Sequence, residues 1–119
     1  MKPRSAKNKG KLLQNHVKKL LVEAFPELDG HIKSTTMGES GEDIQLSPTA
    51  RNTIPYQIEC KSRESIAVYK DYEQSRLHGS WEPILVIKQN ASKPLAVIDL
   101  EKFIQLIRIE NDYRKSVSI

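Results

Sequence analysis

The chain has 119 residues, a net charge of +4, 38% apolar residues and 29% charged residues, which fits one domain with a single core. No apolar run reaches the roughly 18 residues that span a membrane, and the basic start lacks the apolar segment of a secretory signal. The single cysteine, Cys60, excludes an intrachain disulfide. We therefore expect a cytoplasmic domain without membrane contact.

The positive charge is concentrated at the N-terminus. Residues 1–20 contain seven lysines and arginines and no acid, whereas the rest of the chain has three more acids than bases. This distribution favours a polyanionic partner such as DNA or RNA, although a solubilising tail would look the same. We expect residues 1–9 to form a flexible basic arm, whose DNA contacts would include Lys7, Lys9 and nearby Lys11.

The first half of the domain contains one predicted helix and three predicted strands. Apolar residues at helical spacing predict an amphipathic helix over residues 10–25. Strands are predicted over 31–36, 42–46 and 56–61, the last with strict alternation of polar and apolar residues. The two prolines of residues 47–55 predict a loop before the third strand.

The second half continues the alternation of helices and strands. Ser65 is a suitable N-cap for a helix over residues 65–78. The apolar run at 83–88 is typical of a strand covered on both faces. A strand at 94–100 precedes a helix at 100–110, which Asp99 could cap.

The predicted order is α-β-β-β-α-β-β-α, and it indicates a mixed sheet flanked by helices. The folded domain would be residues 10–110, and residues 111–119 are expected to be a frayed tail. The polar sides of the first strands should face a cleft rather than a helix.

The stretch QIECKSRES begins at residue 57 and contains the most informative spacing. Alternate side chains of a strand share a face, so Glu59 and Lys61 should project together, about 6–7 Å apart, with Cys60 on the buried side. A surface ion pair would explain this spacing. If the preceding strand pairs with this one, however, Asp43 lies beside Glu59, and two such carboxylates repel unless a cation separates them. Hard oxygen ligands of this kind suit Mg²⁺ or Mn²⁺.

Asp43 followed by Glu59-Cys60-Lys61 resembles the motif of the PD-(D/E)xK nuclease superfamily, whose αβββαβ core is similar to the predicted order. The closer resemblance is to Holliday-junction resolvase-like and phage-encoded endonucleases, and it covers roughly residues 8–107. It rests on four features in this order: KGKLLQNHV at 9–17, MGESGEDIQLSPTAR at 37–51, IECKSRES at 58–65, and Gln74 in the second helix.

The resemblance implies a restriction-endonuclease-like α/β domain that cuts DNA with Mg²⁺ or Mn²⁺. By this resemblance Asp43, Glu59 and the backbone carbonyl of Cys60 bind the metal. Lys61 is then the catalytic lysine, and Gln74 orients Lys61 or the substrate phosphate. Relatives of this kind are dimers that act on branched DNA, and a phage-encoded member would work in the host cytoplasm. Ser40 and Arg51 are further candidate DNA contacts.

The chain departs from the superfamily in the first helix, where many relatives carry a metal-binding glutamate. The match to KGKLLQ selects Gln14, and the alternative, Glu23, is nine residues away on the opposite side of a helix. A neutral amide would bind a water or a weakly held second ion. The number of metal ions is therefore open.

Two alternatives to a junction-cutting nuclease stay open. A non-catalytic DNA-binding module of the same fold is motivated by Gln14 in place of an acid, and a repair or restriction-type nuclease would act on linear duplex. The three histidines lack the spacing of a zinc or HNH-type site, and no glycine-rich phosphate loop predicts a nucleotide cofactor. A homodimer could use the apolar surface around Trp81.

Overall fold

The computed structural model describes residues 6–35 and 42–118. The elements in chain order are α1 (Ala6–Ala24), a short 3-10 turn (Pro26–Leu28), β1 (Ile32–Ser34), β2 (Ile44–Leu46), α2 (Pro48–Thr53), β3 (Tyr56–Ser62), α3 (Val68–Arg76), β4 (Glu82–Lys88), β5 (Leu95–Val97) and α4 (Leu100–Val117). The predicted α/β class is confirmed. Within the described ranges, no helix has the length and apolar character needed to cross a membrane.

The strands form two hydrogen-bonded groups. β1 and β2 make an antiparallel pair in which Ile32 lies opposite Leu46. β4 runs parallel to β3 and antiparallel to β5, so the three-stranded sheet is mixed, as predicted. Helix α3 is the crossover that a parallel pair requires. The two groups meet where the backbone N–H of Asp43 donates to the Ile58 carbonyl at 3.0 Å.

The core lies between α1 and the strands. Leu13 and Val17 are four residues apart on one face of α1, and both are buried. They belong to a cluster with buried Leu28, Ile32, Ile44, Ala50, Ile54, Ile58 and Cys60. Cys60 therefore points away from Glu59 and Lys61, as the strand alternation predicted. Burial raises the pKa of its thiol far above the usual range, so Cys60 is a packing residue.

Two predicted boundaries in the middle of the chain are wrong. Residues 48–53 form the helix α2 instead of a loop, because the Ser47 hydroxyl accepts from the Ala50 N–H at 3.1 Å and Pro48 suits the first helical position. Helix α3 begins at Val68, and its N-cap is Ala67 rather than Ser65.

The terminal helices are longer than predicted. α1 begins at Ala6, so Lys7 and Lys9 are helical rather than part of a flexible arm. α4 reaches Val117 where a frayed tail was expected, and side-chain pairs four residues apart, such as Arg114 with Glu110, support its last turns. The predicted cap is confirmed, since the Asp99 carboxylate accepts from the Lys102 N–H at 3.1 Å.

Candidate active site

Asp43 and Glu59 lie side by side at the junction of the two strand groups. The Asp43 carboxylate accepts a hydrogen bond from the Cys60 N–H at 2.7 Å, and the Asp43 N–H donates to the Ile58 carbonyl at 3.0 Å. The partners of Asp43 in these two bonds, Ile58 and Cys60, are the residues that flank Glu59. β2 thus brings Asp43 to Glu59, as predicted, even though β2 and β3 share no continuous ladder.

Both carboxyl groups are held where ionisation is unfavourable. Burial raises the pKa of Asp43, and the Cys60 N–H and the charges of Lys61 and His78 offset this in part. Burial also raises the pKa of Glu59, the negative charge of Asp43 raises it further, and His78 and Lys61 act in the opposite direction. A cation between the two carboxylates would relieve this repulsion.

Lys61 lies beside these carboxylates, and its amine makes no hydrogen bond with the residues that the structure describes. The Lys61 Nζ atom is 3.8 Å from Glu59 Oε1, which is an ion-pair distance and too long for a hydrogen bond. The Lys61 side chain is largely screened from solvent, with an exposure of 19%. An ammonium placed in this way can donate to an incoming oxygen atom.

His78 also belongs to the site, although its position in the sequence indicated no role for it. Its Nδ1 atom lies 2.8 Å from Glu59 Oε2, on the opposite carboxylate oxygen from the one that faces Lys61. Asp71, Ser75 and His78 follow the spacing of one helix face, and the first two are buried. That spacing is the signal that could have placed His78 against β3.

Gln57 fixes the end of α3 against the sheet. Its amide nitrogen donates to the Ser75 carbonyl at 2.8 Å, and its amide oxygen accepts from the Trp81 N–H at 3.0 Å. Gln57 is 1% exposed, so α3 covers this part of the polar side of β3. The prediction that this side faces a cleft rather than a helix is therefore wrong at Gln57. This anchoring holds His78, which follows α3, close to Glu59.

Gln14 is buried at 5% exposure, and its Oε1 atom has no hydrogen-bond partner among the described residues. One turn earlier on α1, the Lys11 amine donates to the Ser34 hydroxyl at 2.9 Å. The neighbouring Thr35 N–H donates to the Asp43 carbonyl at 2.8 Å. This face of α1 is therefore connected to the segment that carries Asp43. On the same helix, the Gln14 Oε1 atom is an acceptor without a partner among the described residues.

The remaining predicted residues do not join this group. Gln74 is exposed, and its side chain bonds to none of the described residues. Glu23, the alternative to Gln14, is exposed and pairs with Lys19 at 3.9 Å. Lys7 is exposed, and Ser40 lies outside the described residues.

Arg51 is engaged within the protein. Its guanidinium donates to the Glu42 carboxylate and to the Tyr56 carbonyl, and it lies 5.1 Å from the centre of the Trp81 ring. Arg51 would have to exchange these partners to contact a phosphate. Trp81 is 43% exposed and supports Arg51 rather than filling the core.

A cavity lies on the α1 side of β3. Its volume is about 510 Å³, and its lining includes Lys9, Ser62 and Lys88 together with apolar residues, but no acid among the described residues. Lys9 is held there by a 2.9 Å hydrogen bond to the Asn90 side chain. Since side chains alternate along a strand, Ser62 shares the face of Cys60, and the cavity lies on the opposite face of β3 from Glu59 and Lys61.

The donor set fits a hard divalent cation. Asp43, Glu59, the Cys60 carbonyl and Gln14 supply oxygen atoms, the ligand type that Mg²⁺ and Mn²⁺ prefer. The described residues include no cluster of three or more His, Cys, Asp or Glu side chains able to hold a metal ion. Such an ion would therefore need backbone or amide oxygens and water for its remaining positions.

Comparisons of the chain with protein-family models, with curated proteins and with solved structures found no match.

Proposed function

We propose that the chain is a metal-dependent DNA endonuclease that hydrolyses phosphodiester bonds, with branched DNA such as a Holliday junction as its substrate. The observation that carries this proposal is the grouping of Asp43, Glu59 and Lys61. The buried carboxylate of Glu59 and the half-buried carboxylate of Asp43, both with raised pKa values, lie beside the Lys61 amine, which makes no hydrogen bond with the described residues. Stability alone does not favour such a group, because burying charges is costly.

Each residue has a distinct proposed role. Asp43 and Glu59 would hold Mg²⁺ or Mn²⁺, with the Cys60 carbonyl and Gln14 as further oxygen donors. The ion would supply positive charge against the scissile phosphate. Lys61 would donate from its amine to a phosphate oxygen or to the attacking water, and His78 keeps the Glu59 carboxylate oriented through its 2.8 Å contact.

The positive charge of the chain supports DNA as the substrate. Lys9 and Lys88 border the cavity on the α1 side of β3, and the N-terminal 20 residues carry seven positive side chains and no acid. Contacts of this kind bind the phosphate backbone without reading sequence. They are compatible with recognition of a branch rather than of base edges, and two cuts would call for two copies of the chain.

A non-catalytic DNA-binding module of the same fold is the second candidate. It is favoured by the state of Glu59, whose two carboxylate oxygens already face His78 and Lys61. In that case Glu59, His78 and Lys61 form a largely buried ion-pair network, and DNA binds only to the lysines and arginines of the surface.

Cleavage of labelled DNA separates these candidates. Four substrates, a four-way junction, a flap, a linear duplex and a single strand, are each incubated with Mg²⁺, Mn²⁺ or EDTA. The proposal predicts metal-dependent cutting, fastest on the junction, that is lost in Glu59→Gln and kept in Lys33→Ala, an exposed lysine of β1. Fastest cutting of the linear duplex would support a repair or restriction-type enzyme. DNA binding without cutting of any substrate would support the binding module.

A further inference from the structure

Trp81 is an exposed aromatic side chain to which the proposed nuclease activity assigns no role. It is the single tryptophan of the chain, and 43% of the residue is exposed. Tryptophan is highly buried on average, and it is enriched on surfaces that bind a partner. The exposure of Trp81 therefore favours a binding role.

The position of Trp81 is fixed from two sides. Its backbone N–H donates to the Gln57 amide oxygen at 3.0 Å, and the Arg51 guanidinium lies over its ring, 5.1 Å from the ring centre. Gly79 lets the chain come this close to Gln57, because a Cβ atom at residue 79 would lie 2.6 Å from the same amide oxygen. An aromatic side chain that is held in place before its ligand arrives loses little entropy on binding.

Trp81 forms part of the wall of a second cavity, which lies on the active-site side of the sheet. Gln57, which fixes Trp81, is two residues from Glu59, so their side chains share one face of β3. His78 connects the cavity to the candidate active site, because its Nδ1 atom lies 2.8 Å from Glu59 Oε2. The cavity has a volume of about 390 Å³, and its lining includes Trp81, His78, Arg51, Glu42, Gln45 and Ser80.

The charges of this cavity suit an uncharged ligand. The carboxylate and the guanidinium of the described lining, Glu42 and Arg51, are paired with each other, so this pair attracts a phosphate only weakly. The lining also offers an indole ring, an amide and a hydroxyl, from Trp81, Gln45 and Ser80. A nucleobase matches these groups, because it is flat and uncharged, stacks on aromatic rings and forms hydrogen bonds at its edges.

We propose that this cavity binds one unpaired nucleobase of a DNA strand, stacked on the Trp81 ring, beside the phosphate that the active site cuts. The inference rests on the proposed nuclease function, and it names the feature of the substrate that the site recognises. That feature is a base outside the duplex, as in a flap, a bulge or an opened branch point. A fully paired duplex offers no such base, because extracting one from the stack costs free energy.

Two labelled DNA duplexes that differ by one base test the cavity. One contains a single unpaired deoxyadenosine, and the other contains an abasic nucleotide at the same place. Fluorescence anisotropy in EDTA, where metal-dependent cutting stops, gives the Kd of each. We expect wild type to bind the DNA with the unpaired base about 5- to 150-fold more tightly, the range that stacking on one aromatic side chain supplies. That DNA should also quench the emission of Trp81 more strongly than the abasic DNA.

Three variants separate stacking from an indirect effect through Arg51. Trp81→Ala should raise the Kd of the DNA with the unpaired base and leave the Kd of the abasic DNA unchanged. Trp81→Phe, which keeps a ring, should retain most of the preference. Tyr113→Ala, which removes an exposed aromatic side chain of α4, is the matched control and should retain all of it. Circular dichroism checks that the variants fold.

Two outcomes would overturn the base cavity. One is a wild-type chain that does not distinguish the two DNAs. The other is equal weakening of both DNAs in Trp81→Ala, which would mean that Trp81 only supports Arg51.

Cleavage of the same two DNAs with Mg²⁺ separates this inference from the proposed function. A chain that cuts both DNAs and binds them equally would refute the base cavity and leave the nuclease intact. A chain that binds through the unpaired base but cuts no DNA would keep base binding at Trp81 and refute the nuclease.

Discussion

The surroundings of Asp43 favour the neutral form of its carboxyl group. Burial raises the pKa of its carboxyl group above the ordinary value of 3.8. For an acid, a raised pKa in the folded chain means that ionisation costs stability, and this cost grows as pH rises from the ordinary pKa through the raised one. Above the raised pKa and without metal, the folded chain bears the full cost.

Asp43→Asn should therefore stabilise the metal-free protein at neutral pH. The amide keeps an oxygen that can accept from the Cys60 N–H, but it carries no charge, so we expect Tm to rise by a few degrees. The gain should shrink as pH falls towards 4, where the wild-type carboxyl group also becomes neutral. Calorimetry at the two pH values measures this, and a lower Tm than wild type at pH 7 would show that the charge is stabilising.

His78 should tune Glu59 rather than react with DNA. Its hydrogen bond and charge lower the pKa of Glu59, so in His78→Ala that pKa rises further. We expect cleavage to fall about 10- to 100-fold, as for other residues that orient a metal ligand, and the acidic limb of the pH–rate profile to move to higher pH. His78→Gln, which keeps a donor, should move it less. A uniform fall in rate with an unmoved profile would argue against this role.

At the scale of elements, the Gln57 side chain is the connection that places His78. Replacing it by alanine leaves the Trp81 N–H and the Ser75 carbonyl without their partner. We expect Gln57→Ala to lower the free energy of unfolding by about 2–4 kcal/mol, measured by urea denaturation. Gln105→Ala, on exposed α4, is the control and should change it little. A change in Gln57→Ala as small as that of the control would mean that α3 is anchored by other contacts.

The elements that the sequence predicted well are those with a strong local pattern. The alternation of β3 placed Cys60 inside and Glu59 with Lys61 together, and Asp99 marked the start of α4. Helix α2 was missed because two prolines suggested a loop, although Pro48 follows a capping serine. The position of His78 depends on how α3 packs against β3, and its one local signal is the helical spacing of Asp71, Ser75 and His78.

At the scale of the whole molecule, the sequence predicted the α/β class and the mixed sheet but not how the surfaces are arranged. Residues 1–9 were expected to form an arm, whereas α1 begins at Ala6 and the Lys9 amine donates a hydrogen bond to the Asn90 side chain. The spacing of Phe103, Ile104 and Ile107 is that of an ordinary core-facing helix in sequence, whereas all three side chains of α4 are at least half exposed in the structure.

Cleavage of a labelled four-way junction in the presence of Mg²⁺ is the most direct test of the proposed active site. The cleavage rate of wild type is compared with that of Lys61→Ala. Lys33→Ala is the control variant, and a reaction with EDTA is the metal-free reference. We predict cleavage that requires Mg²⁺ and that falls about 10²- to 10³-fold in Lys61→Ala, with junction binding and the Lys33→Ala rate unchanged. Equal rates in Lys61→Ala and wild type, or cleavage that persists in EDTA, would contradict a metal-dependent nuclease centred on Asp43, Glu59 and Lys61.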